Sequence, residues 1–121
     1  MERRRRAPRV ATTGWSGRYI VDDDPGAYWN ECRVLDLSVL GVGLEIFPDR
    51  PEEASETLIG RRIVVQVQPP VGDSVTVRLV GRARNVSPGS AGGTRMGLEF
   101  VGLSETERKI LEVMELLKVA W

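Results

Sequence analysis

Two short stretches hold the side chains with the most chemistry to offer. Asp36-Leu37-Ser38-Val39-Leu40-Gly41 sets a carboxylate, a hydroxyl and a glycine in a D-x-S-x-x-G pattern between two apolar, β-favouring runs. Asp and Ser side chains fold back onto nearby backbone N–H groups, and glycine accepts φ > 0 or a close backbone approach. The stretch therefore reads as a tight turn between strands that can present the carboxylate and the hydroxyl outward. Asp, Ser and Gly are also the ordinary turn formers, so a plain hairpin and a binding turn both fit. The second stretch, Arg5-Arg6-Ala7-Pro8-Arg9, places two guanidinium groups four residues apart with Arg4 just before. Planar guanidiniums bind phosphate through paired, charge-assisted hydrogen bonds, and an arginine run can equally be a solvated tail.

Other residues offer less. Asp22-Asp23-Asp24 invites a metal reading, but three consecutive loop side chains seldom converge on one ion and the spacing is not that of a calcium loop, so a solvated acidic loop is expected. Arg78, Arg82 and Arg84 fall on one face of a strand, a basic stripe suited to nucleic acid, to a ligand, or to solubility alone. Cys32 is the single cysteine, which excludes an intramolecular disulfide and a cysteine-cluster metal site and leaves it as a small buried apolar residue. With no His, no nucleophile beside an evident base and no phosphate loop, catalysis is not expected.

The elements that position these residues come from a chain of ordinary globular composition. Its 121 residues, 41% hydrophobic and 28% charged, suit one domain with one modest core. No apolar run approaches the ~18 residues that span a bilayer. The arginine-rich start is not followed by an apolar signal region, so no membrane insertion and a cytoplasmic location are expected. The formal charge is zero, yet residues 1–9 carry five Arg against Glu2, a net +4 that leaves −4 on the other 112 residues.

Residues 1–10 lack apolar periodicity and contain Pro8, which predicts a flexible arm ahead of a domain over 11–121. Alternating β-favouring residues predict strands over 15–21, 30–37, 42–46, 61–68, 74–86 and 94–101. In the second, strict alternation groups Arg33, Leu35 and Leu37 on one face and Cys32, Val34 and Asp36 on the other. The third reads as half-buried, with Gly43 leaving room above one face. Gly81 in the fifth reads as a bulge or barrel corner. Residues 47–60 read as a surface connection with a helical turn near 52–56. Ser104-Glu105-Thr106-Glu107 forms a capping box for a helix over 104–118, with Ile110, Val113, Met114 and Leu117 as the stripe facing the core.

Six strands, an arginine-rich arm ahead of the first, a D-x-S-x-x-G turn between the second and third and one C-terminal helix together resemble the PilZ domain, a bacterial receptor family for cyclic di-GMP. The resemblance covers nearly the whole chain and rests on both halves of the family motif, R-x-x-x-R at Arg5 to Arg9 and D/N-x-S-x-x-G at Asp36 to Gly41. Met96-Gly97-Leu98-Glu99-Phe100, followed shortly by a capped helix, is similar to the end of such a domain. The fold it implies is all-β with a C-terminal helix, a six-stranded antiparallel barrel. It further implies that Arg5 and Arg9 grip phosphates and guanine edges while Asp36 and Ser38 engage the ligand across the barrel face. Gly41 supplies turn geometry and space. In this family an arginine just before R-x-x-x-R accompanies an intercalated cyclic di-GMP pair, and Arg4 holds that place.

Those implications describe a non-catalytic receptor that needs no cofactor beyond its ligand. Guanine's O6 and N7 acceptors match a bidentate arginine, and its N1–H and N2–H donors match a carboxylate such as Asp36. An interaction module of the same fold without nucleotide affinity is the first competing reading, against which the intact motif halves argue. A nucleic-acid-binding barrel using the arm and the Arg78, Arg82, Arg84 stripe is the second, and it lacks surplus positive charge and an aromatic stacking platform. The resemblance allows a downstream protein in motility, secretion or polysaccharide synthesis, and both monomer and homodimer stay open.

Overall fold

Runs of Val, Ile and Leu at alternate positions set the architecture, because each such strand has one face that must leave water. In the computed structural model, which describes residues 10–68, 76–89 and 92–120, these strands are β1 (Val10–Val21), β2 (Asn30–Leu37), β3 (Gly41–Ile46), β4 (Arg62–Gln68), β5 (Val77–Pro88) and β6 (Thr94–Phe100). They close into an antiparallel barrel in the order β1-β2-β3-β6-β5-β4, with β4 returning to pair with β1. The expected six-stranded barrel with a C-terminal helix is the fold. Closure leaves no unpaired sheet edge. The inward faces meet in one core in which Val34, Val42, Leu44, Ile46, Ile63, Val65, Leu79 and Met96 are all 0% exposed. Each such side chain contributes roughly 1.5–3 kcal/mol by leaving water. Burial in the same interior pushes the Cys32 thiol and the Tyr19 phenol up to about 12.

Several local expectations need correction. β1 begins at Val10, well before residue 15, and a register shift between Ala11 and Trp15 precedes its regular pairing with β2. β3 is buried on both faces rather than half-buried. Gly81 marks no bulge: a Cβ there would lie 2.7 Å from the Glu99 carbonyl oxygen, so it permits close strand contact, and the irregularity in β5 falls between Ala83 and Asn85. The 47–60 connection is more than a surface excursion. A 3-10 turn, Pro51–Glu53, leads into the short helix α1 (Ala54–Leu58), which packs on β5 and places Ala54 and Leu58 in the core.

The terminal helix α2 (Glu105–Ala120) opens with the expected capping box: the Ser104 N–H donates to Glu107 Oε1 at 2.9 Å and the Glu107 N–H donates to Ser104 Oγ at 3.1 Å. It packs on β1, but the residue it buries is Leu111, while Ile110 and Val113 are 37% and 53% exposed. The side chains of Met114 and Leu117 lie outside the described set. The apolar face of this helix is wide enough to offer two stripes, and packing selects the one containing Leu111.

Candidate functional site

The geometry at Asp36 starts with an extra residue in β2. Val34 pairs with Leu44 and Leu37 with Val42, both pairs inside the barrel, so the register shifts between Val34 and Asp36. Leu35 is the inserted residue, a β-bulge that re-aims the side chains after it. Strict alternation places Asp36 inward with Cys32 and Val34; the bulge turns it onto the outer face, opposite Gly43. There its side chain is 16% exposed.

The turn after β2 is built by Ser38. Its Oγ accepts from the N–H groups of Leu40 at 3.1 Å and Gly41 at 3.3 Å, and its own N–H donates to the Gly41 carbonyl at 2.9 Å. The residue is only 1% exposed, so the hydroxyl is turned into the loop and not outward as the sequence allowed. The Leu40 carbonyl accepts from the Phe100 N–H at 2.9 Å, which ties the turn to the end of β6. Gly41 owes its identity to close approach: a Cβ there would run into the Leu98 carbonyl oxygen of β6.

Beside the turn the barrel presents a polar floor that sequence reasoning did not assemble. Asp36, Gly43, Gly97 and Asn85 are successive register partners across β2, β3, β6 and β5. Two glycines face each other in the middle of this row. The flanking side chains lie over them: a Cβ on Gly43 would meet Asp36 Oδ1 at 2.9 Å, and one on Gly97 would meet Asn85 Oδ1 at 2.8 Å. The neighbouring row runs Arg33, Glu45, Arg95. Arg95 Nη2 donates to Asp36 Oδ2 at 2.9 Å, although the two residues are 59 apart in the chain. Glu45, directly opposite Arg95, is 7% exposed. The room above Gly43 was the one sequence signal for this floor.

The remaining charged candidates have structural partners. Arg62 pairs with Asp22 at 3.0 Å and Arg61 with Asp23 at 2.8 Å, while Asp24 Oδ1 accepts from the Gly26 N–H at 3.0 Å. The acidic triplet thus clamps the β1–β2 loop to the start of β4, and the hydrogen bond from Arg61 holds the Asp23 carboxyl below its usual range. Among the described residues no group of three or more His, Cys, Asp or Glu is placed to hold a metal ion. The arginine stripe of β5 is likewise occupied. Arg78 lies over the Trp29 ring at 5.8 Å, Arg82 Nη1 donates to the Gly60 carbonyl at 3.0 Å, and Arg84 Nε donates to Glu99 Oε1 at 2.7 Å. Arg4, Arg5 and Arg9 lie outside the described residues.

Solved structures share this fold at low sequence identity. The PilZ domain with c-di-GMP of YcgR from Escherichia coli superposes with a TM-score of 0.75 at 18% identity, covering 98% of this chain and 93% of that one. The Bacillus subtilis inhibitor of motility, MotI/DgrA, gives 0.69 at 11% identity over 98% of this chain and 52% of that one. MrkH of K. pneumonia, in its c-di-GMP complex, gives 0.65 at 14% identity over 99% of this chain and 54% of that one. The chain therefore spans about half the length of those two proteins. A search of curated proteins finds no match. The PilZ domain family model matches residues 3–114, a span that takes in Arg4, Arg5 and Arg9, the turn, the six described strands and the start of α2, and the chain belongs to that family.

Proposed function

We propose that this chain is a non-catalytic receptor for cyclic di-GMP, with the ligand held between the N-terminal arm and the outer face of β2, β3 and β6. Asp36 accepts from guanine N1–H and N2–H, and Arg5 and Arg9 supply phosphate and guanine contacts from the arm. Ser38 and Gly41 hold the turn that aims Asp36, and Arg4 adds the contact for a second, intercalated ligand molecule. The observation that carries the reading is the bulge at Leu35, which takes a carboxylate out of the barrel and sets it over Gly43 and beside Gly97, two facing glycines that add no side chain of their own to the floor and leave polar groups of Asp36 and Asn85 over it. Family membership and relatives that carry c-di-GMP in their structures support it. Nucleic-acid binding by the β5 stripe is disfavoured because Arg78, Arg82 and Arg84 already have partners.

An arm that orders over the ligand loses conformational entropy, which charge-assisted contacts to two phosphates and base stacking offset. The ordered arm then presents a changed surface to a downstream protein, and the likeness to an inhibitor of motility makes a motility component one candidate beside secretion and polysaccharide synthesis. The test is a titration with cyclic di-GMP beside single-stranded DNA. Ligand at ~100 times its dissociation constant raises native stability by ~2.7 kcal/mol, read as a higher melting temperature. Loss of that shift in Asp36→Ala and in Arg9→Ala is the expected outcome. Unaltered affinity in either variant refutes the assigned site, and absence of any shift in the folded wild type refutes the receptor.

A further inference from the structure

The Asp36 carboxylate already has a cation on it. Arg95 holds its Oδ2 at 2.9 Å, and a guanine edge that takes the same oxygens has to move that guanidinium aside. Stripping a half-exposed cation of its partner weakens ligand binding unless the cation finds another.

A second carboxylate stands within reach. Glu45 faces Arg95 directly across the β3–β6 pairing and is 7% exposed. Among the described residues no hydrogen bond or ion pair reaches its side chain. A carboxylate buried in this way is costly until a donor arrives. Its seat is as tight as that of Asp36: a Cβ on Gly93 would lie 2.8 Å from Glu45 Oε2. Asp36 lies over Gly43, and Glu45 is the next outward position of the same strand, so the two seats are about 7 Å apart along β3. A pivot of the long arginine side chain covers that distance without any change in the barrel.

We propose that Arg95 and Glu45 are positioning residues of the ligand site: Arg95 keeps the Asp36 carboxylate aimed over Gly43 in the free protein and passes to Glu45 when guanine takes Asp36. The inference rests on Asp36 as the guanine contact. One movement takes the Arg95 guanidinium off Asp36 Oδ2 and supplies a partner to the buried Glu45 carboxylate. Arg95 is then a removable guard on the site, and Glu45 is what makes its removal cheap.

Calorimetric titration of cyclic di-GMP into the wild type, Arg95→Ala, Glu45→Gln and the double variant tests it, with the melting temperature of each free protein as the control. Arg95→Ala is expected to bind roughly fivefold tighter, since the Arg95 ion pair no longer has to be broken, and Glu45→Gln roughly fivefold weaker, since the displaced guanidinium has nowhere charged to go. In the Arg95→Ala background the Glu45→Gln change has no further effect on affinity. The free Glu45→Gln protein melts no lower than the wild type, which separates the proposal from a merely structural role. Weaker binding by Arg95→Ala makes Arg95 a direct ligand contact and overturns the transfer. So does a Glu45→Gln effect that is absent, or that persists without Arg95. A wild type that binds no cyclic di-GMP removes the receptor reading itself, and the transfer with it.

Discussion

Two outer faces of the barrel carry arginines, and they use them differently. On the β1, β4 and β5 side each described cation has a fixed seat. Arg18 and Arg78 lie over the Trp29 ring at 5.5 and 5.8 Å, Arg82 caps the Gly60 carbonyl, and Arg61 and Arg62 are tied to Asp23 and Asp22. On the β2, β3 and β6 side two arginines, Arg33 and Arg95, stand on either side of Glu45, and Arg95, which also holds Asp36, lies beside a pair of glycines. On the first face each of these arginines is engaged with the protein's own groups. The second has a buried carboxylate, Glu45, and a glycine pair at its middle with only short polar side chains, Asp36 and Asn85, reaching over it. A count of arginines points to the first face for an anion, whereas the carboxylates of the second match hydrogen-bond donors such as a guanine edge.

The largest effect that this contrast predicts is on glycines. Gly41→Ala puts a methyl into the Leu98 backbone, which cannot swing away, and is expected to cost about 3 kcal/mol in urea unfolding. On the other side, Gly60 has φ 83° and open space where a Cβ would stand, with no atom within 4 Å, so Gly60→Ala meets only left-handed strain of ~1 kcal/mol. Equal costs would erase the distinction. Gly43→Ala sharpens it further. The atoms nearest its methyl are those of the Asp36 carboxylate, the movable end of a side chain, so stability should hardly change while cyclic di-GMP affinity falls about tenfold, or ~1.4 kcal/mol. Unchanged affinity would mean that the glycine floor is not where the base lies.

Trp29→Ala tests the first face. The ring is half-buried with two guanidiniums 5.5 and 5.8 Å from its centre, and its loss should lower stability by about 1 kcal/mol while leaving cyclic di-GMP affinity at the wild-type value. A variant that folds but binds the ligand several-fold more weakly would show that the two faces are not independent.

The division between the faces also marks how far the sequence could be read. The six strands were legible because β-branched residues alternate over whole segments, and the capping box at Ser104 announced α2 because both partners of its reciprocal hydrogen bonds are in the motif. The turn residues allowed an outward Asp36, but the bulge that aims it there was not legible. An inserted residue such as Leu35 carries no mark of its own, and counting by twos across it assigns every later side chain to the wrong face. Arg95 and Asp36 meet only once β3 has paired with both β2 and β6, so a contact spanning 59 residues has no local signature. Ser38 was recognised as a turn former, but which way its hydroxyl points depends on the N–H groups of Leu40 and Gly41 closing around it.

The smallest expected effect is the most discriminating about charge. Arg84 and Glu99 make the shortest ion pair among the described residues, 2.7 Å, yet their side chains are 55% and 59% exposed. Water screens such a pair, and fixing two long side chains offsets much of what attraction remains, so Arg84→Ala should change stability by no more than about 0.5 kcal/mol. Arg84 sits one residue before Asn85, at the irregularity of β5, close in sequence to the floor of the site. If proximity and positive charge were enough, its removal would weaken cyclic di-GMP binding as much as any substitution at Arg95 alters it. The expected result is no change in affinity, because Arg84 is directed at Glu99 and its loss leaves the Asp36, Arg95 and Glu45 cluster intact. A several-fold loss would instead place the ligand's phosphates over β5 and extend the binding face around the barrel.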